Sequence, residues 1–219
     1  MIPSDPMSAA RPSVAPPDPR TTDHFVYLRV GWQEYEKLLA MRGEGSVPRM
    51  TYLEGLVELM SPSRHHEIDK THFARLIETW SEIASVQLEG YGSWTLKDEE
   101  QDRGVEPDEC YTVRRLAVDD RDRPDIAVEV IWTSGGIDKL EVYRKLGVRE
   151  VWLYERGWLR FFALGGSAGD ERYMEIPRSE LLPELPVDLL LACMKEPSQL
   201  SAIRAFRAGL EGQTIDSTR

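Results

Sequence analysis

Cysteine is scarce in this chain: Cys110 and Cys193 are the only two, and they lie far apart. That leaves no disulfide framework and no CxxC metal pair, and it suits a reducing compartment. No run approaches the roughly 18 consecutive apolar residues of a membrane span. Nor does the chain open on a basic segment followed by an apolar run, the pattern of a secretory signal. The expectation is a cytoplasmic protein without membrane contact. Basic residues are in deficit as well, 27 Lys and Arg against 38 Asp and Glu, for a net charge of −11. Nucleic-acid binders draw most of their affinity from phosphate contacts and carry a basic footprint. Charge therefore argues against tight, constitutive binding to DNA. It says less against metal-dependent chemistry, because collecting a divalent cation requires clustered carboxylates. Also missing are a phosphate loop, a dinucleotide glycine pattern and HExxH, which removes support for other hydrolase classes.

What is present suits one α/β domain. A length of 219 residues with 41% hydrophobic content is enough for one core. Residues 1–24 are rich in Pro, Ala, Ser and Asp and cannot bury enough apolar surface to offset ordering entropy, so they read as a disordered tail. Residues 25–210 form the domain, and 211–219 read as a flexible tail. Apolar spacing predicts a short strand near Phe25, a helix over Trp32–Met41, and a hairpin of Arg49–Leu53 with Leu56–Met60 around Glu54-Gly55. A helix follows from about His65 to Ala84. Strands are expected at Val86–Tyr91, near Trp94–Leu96, at Asp108–Val113 and at Asp125–Trp132, with KDEEQDRG and DDRDRP as polar loops. A helix over Ile137–Leu146 ends at Gly147, in the position of a C-cap glycine. A second hairpin joins Glu150–Tyr154 to Trp158–Leu164. A strand near Tyr173–Ile176 and helices near Val187–Met194 and 198–210 complete the chain. This order predicts a mixed sheet flanked by helices.

The most informative segment is Asp125–Trp132, DIAVEVIW. Its near-continuous apolar run reads as a central strand covered on both faces, yet Glu129 sits in its middle. Burying an ionised carboxylate costs several kcal/mol unless a cation, a proton or a basic side chain offsets it. A structural ion pair and a functional site are about equally good readings of Glu129 alone. Pro107-Asp108 starts the preceding strand, since Pro is tolerated at a strand's first position. A second Pro-Asp pair, Pro124-Asp125, starts the next. In an antiparallel arrangement Asp108 and Glu129 would project onto one face, and two close carboxylates repel unless a divalent cation lies between them. Mg²⁺ takes one or two carboxylates, waters and phosphate oxygens, which gives phosphodiester cleavage a physical basis. Lys139 falls in the first turn of the following helix, where the macrodipole disfavours a cation. It could reach back to developing phosphate charge, although an exposed pairing with Asp138 or Glu141 is the blander reading. His65, His66 and His72 lack zinc spacing, but His66 or Glu67 could join the site as a third metal ligand or a base.

Together, YLEGLVELMSPSRHHE, GVEPDECYTV, RPDIAVEVIWTSGGIDKLEVYRKLGVREVWLYERGWLRFF and Leu182-Pro183-Glu184-Leu185 resemble the Uma-type putative restriction endonuclease family, over roughly residues 25–195. The resemblance implies a PD-(D/E)XK nuclease-like fold, an αβββαβ core carrying here an added N-terminal helix and β-hairpin. It implies Asp108 and Glu129 as the acidic pair, Mg²⁺ with Mn²⁺ as a substitute, and nucleic acid, DNA first, as substrate. By analogy the backbone carbonyl of Val130 completes the metal's coordination. One departure stands out: the usual E-x-K would put lysine at 131, and this chain has Ile131. Lys139 matches the position of a lysine migrated to the next helix. The competing expectation is a non-catalytic interaction module on the same fold, favoured by the acidity and the missing strand lysine. Cutting both strands of a duplex usually takes two sites, so a homodimer is expected, with Trp158, Phe161 and Phe162 as one candidate interface.

Overall fold

The polar residues that interrupt this chain's apolar runs decide how its strands divide between two sheets. A computed structural model describes residues 22–117, 122–133 and 135–216. The chain begins with β1 (His24–Arg29), α1 (Trp32–Arg42), β2 (Arg49–Leu53), β3 (Leu56–Ser61) and α2 (Arg64–Ala84). It continues through β4 (Leu88–Gly90), β5 (Leu96–Asp98), β6 (Arg103–Val105), β7 (Glu109–Val113) and β8 (Ile126–Val130). Then come α3 (Lys139–Leu146), β9 (Glu150–Glu155), β10 (Trp158–Gly165), β11 (Arg172–Ile176), α4 (Val187–Cys193) and α5 (Gln199–Asp216).

The larger sheet has the order β11-β10-β9-β8-β7-β4, antiparallel except for the β8–β9 pair, which α3 connects as a crossover. With α2 in front, β4, β7, β8, α3 and β9 give the expected αβββαβ order in a mixed α/β fold. The smaller sheet, β1-β3-β2-β6-β5, is antiparallel throughout. A single sheet was expected. The segment after β4 instead leaves the large sheet and returns as β5–β6 on the N-terminal hairpin. The region read as a polar loop holds β6. A Cβ on its Gly104 would meet the Tyr35 hydroxyl at 2.3 Å, so glycine there admits α1 against the strand.

Strand alternation assigns the layers. On β8, Ile126, Val128 and Val130 pack with α2, α4 and α5, whereas Ala127 packs with α3 residues Val142, Tyr143 and Leu146 and with Leu96 and Val105 of the small sheet. The far face of the small sheet, with Met50, Tyr52 and Val57, packs on α1 through Tyr35. Its near face therefore turns Arg49, Thr51 and Glu58 toward the large sheet. Both hairpin turns use positive φ as their sequences predict, Glu54-Gly55 at 45° and 82°, and Arg156-Gly157 at 49° and 86°.

Two boundaries and one exposed surface differ from expectation. Of the segment 1–24, residues 1–21 lie outside the described residues, but Asp23 is buried and His24 already belongs to β1. α5 extends to Asp216, so most of 211–219 is helical, and 217–219 lie outside the described residues. Of the three β10 aromatics, Phe161 and Phe162 are core residues and only Trp158, 70% exposed, offers surface.

Candidate active site

Glu129 is on the α3 side of β8, 2% exposed. Its offset comes from α3, whose first residue, Lys139, brings Nζ to 2.6 Å from Oε2. One turn further, the Tyr143 hydroxyl donates to Oε1. Asp138 caps this helix by accepting from the backbone N–H groups of Leu140 and Glu141, and so fixes where the first turn begins. Burial pushes the Glu129 carboxyl up, and the Lys139 charge opposes that shift. Burial would lower Lys139, but the carboxylates of Glu129 and Asp108 outweigh it and hold the amine cationic.

Asp108 is fully buried immediately before β7. Extending the β7–β8 register one pair beyond Glu109–Val128 sets Asp108 opposite Glu129, on the same face. The Val130 N–H donates to Oδ2 at 2.7 Å. Oδ1 faces His66 Nε2 at 2.9 Å and Arg49 Nη1 at 3.0 Å. Burial alone would raise the Asp108 carboxyl, but the His66 hydrogen bond and the charges of His66, Arg49 and Lys139 hold it well below the usual carboxylate range.

The first turn of α2 sets the opposite wall. Ser63 caps it, accepting from the His66 N–H. The other ring nitrogen of His66, Nδ1, faces Asp23 Oδ2 at 3.3 Å, and Asp23 Oδ1 accepts the Ser63 N–H at 2.7 Å. Burial would lower His66, but its two carboxylate partners raise it to about 9, so the ring is an imidazolium at neutral pH. His66, put forward as a ligand or base, thus lies beside Asp108 with a carboxylate on each ring nitrogen. Glu67 lies at the rim, its side chain 40% exposed, and accepts from Arg49 Nη2 at 2.7 Å. His72 is buried apart from this cluster, and His65 stacks on Trp132.

Other buried carboxylates show what a structural role looks like here. Glu150 accepts from Trp152, Ser179 and two backbone N–H groups. Asp125, of the second Pro-Asp pair, accepts the Val113 N–H and pairs with Arg115. Asp108 and Glu129 differ in facing one another across adjacent strands with a cation on each. A cavity of about 210 Å³ is lined by Glu58, Glu129, Val130 and Lys139 among others.

The donor set suits a hard divalent cation. Each Glu129 oxygen has a single donor, and Asp108 Oδ2 has one, whereas Oδ1 carries both the His66 hydrogen bond and the Arg49 ion pair. Among the described residues no group of three or more His, Cys, Asp or Glu side chains could hold a metal ion. Mg²⁺ needs only one or two carboxylates beside waters and phosphate oxygens. The Val130 N–H points to the Asp108 side of β8, and within a strand its carbonyl points the same way.

Four residues escaped the sequence reading. Glu58 accepts from the N–H groups of Gly136 and Ile137 and so anchors the β8–α3 loop. It could have been found by the signal that singled out Glu129, a carboxylate within an apolar strand. Tyr143 lies four residues after Lys139 on the same helical face. Arg49 and Asp23 left no such mark.

Comparison with known proteins adds the following. The model of the Uma2 family, described as Putative restriction endonuclease, matches residues 32–193. No curated protein matches. Among solved structures, a protein described as a putative nuclease belonging to DUF820 from Anabaena variabilis ATCC 29413 is similar. It is 13% identical, with 81% of this chain and 99% of that chain covered and a TM-score of 0.48.

Proposed function

This chain belongs to the Uma2 family, Putative restriction endonuclease, and on that premise we propose that it hydrolyses phosphodiester bonds in nucleic acid, DNA in the first instance, as a metal-dependent endonuclease. The observation that carries the reading is the opposed pair Asp108 and Glu129, with the Lys139 ammonium 2.6 Å from the latter. Asp108 Oδ2, Glu129 and the Val130 carbonyl are the oxygens for Mg²⁺, with Mn²⁺ as substitute. A bound divalent ion would acidify a water and neutralise phosphate charge. Lys139 then stands where it can orient the attacking water or meet the charge developing on a phosphoryl oxygen, replacing the strand lysine that Ile131 lacks. Tyr143 fixes the Glu129 carboxylate from its other oxygen. Hydrolysis forms one bond from water oxygen to phosphorus and breaks one phosphorus–oxygen ester bond, and the leaving oxygen takes a proton.

Two further parts of this reading are a cytoplasmic location, in keeping with two free buried cysteines, and a homodimer that would bring two sites to a duplex, with Trp158 as exposed apolar surface. Among the described residues no helix is long and apolar enough to cross a membrane. The test is an assay of purified protein on single- and double-stranded DNA and RNA with Mg²⁺ or Mn²⁺. Cutting by the wild type that Asp108→Ala and Glu129→Ala lose supports the reading, and equal residual cutting assigns the activity to a contaminant. One observation favours a non-catalytic module instead: Glu129 and Asp108 already have internal cationic partners. Calorimetry with Mn²⁺ separates the two, because a module should give no more heat than Glu129→Ala does.

A further inference from the structure

Two separate segments converge on one oxygen of Asp108, and a third backs one of them. Asp23 precedes β1, Arg49 opens β2, and His66 is in the first turn of α2. His66 bridges Asp23 and Asp108 through its two ring nitrogens, at 3.3 and 2.9 Å. Arg49 bridges Asp108 and Glu67 through its two terminal nitrogens, at 3.0 and 2.7 Å. Asp23, Arg49, His66 and Asp108 are all at most 5% exposed. With Glu67 the group holds three carboxylates and two cations, which leaves one net negative charge.

Stability does not account for such a cluster. Desolvating charges costs several kcal/mol per ion, and well-packed apolar residues of similar volume are often as stable or more so. What the cluster does provide is an orientation. Oδ1 of Asp108 has the His66 hydrogen bond and the Arg49 ion pair, and Oδ2 is pinned by the Val130 N–H with one acceptor site left. The carboxylate can turn only by breaking several charge-assisted bonds at once.

We propose that Asp23 and Arg49 are positioning residues of the Asp108–Glu129 site: Asp23 orients His66, and His66 with Arg49 locks the Asp108 carboxylate so that Oδ2 is the oxygen offered to a divalent cation. This rests on the reading of the site given above. It also makes the small sheet part of the active site rather than an appendage, because Arg49 reaches Asp108 from that side and Asp23 backs it through His66. Partners one step removed from a metal typically contribute 10–100-fold to affinity or activity.

The experiment is Mn²⁺ titration by calorimetry on the full-length wild type, Asp23→Asn, Asp23→Glu, Arg49→Met and Arg49→Lys, with near-UV circular dichroism and thermal midpoint measured on each. Asp23→Asn keeps the volume and the Ser63 contact but loses the charge that holds His66. The expected result is a folded Asp23→Asn protein with Mn²⁺ affinity weakened roughly tenfold, and a partial recovery in Asp23→Glu. Arg49→Lys should fall between Arg49→Met and wild type, because lysine supplies the charge without the two-pronged reach. Folded Asp23→Asn and Arg49→Lys proteins that bind Mn²⁺ within about twofold of wild type overturn the proposal while leaving the metal site standing. Failure of both conservative variants to fold overturns it too, in favour of a purely structural cluster. A wild type that binds no Mn²⁺ removes the metal reading itself, and this inference with it.

Discussion

Lys139 sits in the first turn of α3, where the helix dipole works against a cation, yet its ammonium is held 2.6 Å from a buried carboxylate. The Glu129 side chain is 3% exposed and that of Lys139 is 24% exposed, so Lys139 is the more exposed member of the pair. A divalent ion at Glu129 would compete with the ammonium for the same oxygens. Lys139→Met should therefore destabilise the metal-free protein by about 2 kcal/mol, less than the loss typical of a fully buried pair, by leaving Glu129 uncompensated. Glu129→Gln combined with Lys139→Met should recover most of that loss. Saturating Mg²⁺ should raise the unfolding midpoint of Lys139→Met by more than it raises that of wild type, since the ion meets no competitor. Urea titrations with and without Mg²⁺ read all three effects. Identical Mg²⁺ stabilisation of wild type and Lys139→Met would show that amine and metal do not share Glu129.

Helix α3 has eight residues, too few to persist without its cap and its packing. Asp138 accepts two N–H groups at its start, so Asp138→Ala should cost about 1 kcal/mol in urea unfolding and should also lower the cutting rate, because Lys139 is the next residue. Asp138→Asn keeps a side-chain oxygen and should restore both. Restored stability without restored rate would show that the Asp138 charge acts directly on the chemistry. This helix was legible in the sequence, as were α2, β8 and both hairpins, because periodicity and turn residues are local signals. Glu129 was legible for the same reason, as a charge where the local pattern demanded an apolar residue. The division into two sheets was not, since β5 and β6 have only three residues each and β6 contains Gly104, whose purpose is visible only when Tyr35 lies against it. Asp23 and Arg49 were illegible for another reason. Their partner is Asp108, which local pattern cannot link to either segment, and Asp23 lies at the end of a stretch whose composition hides it.

The molecule as a whole carries −11, and the charges nearest the proposed site nearly cancel, so the net charge supplies no long-range attraction toward a polyanion. Proteins that hold DNA through many lysines and arginines bind without metal and lose affinity steeply with salt. Here the attraction has to be local and has to arrive with the divalent ion, which adds two positive charges between the carboxylates and a phosphate. Anisotropy of a short fluorescent DNA in EDTA should therefore show weak binding. Ca²⁺, a hard cation that takes the same oxygen donors, should tighten it at least tenfold at matched ionic strength, a rise that K⁺ cannot reproduce. The gain should vanish in Asp108→Ala together with Glu129→Ala, whereas a general screening effect would survive both. Tight, metal-independent binding with a steep salt slope would instead reveal a basic surface elsewhere on the fold, and would move recognition away from the Asp108–Glu129 pair.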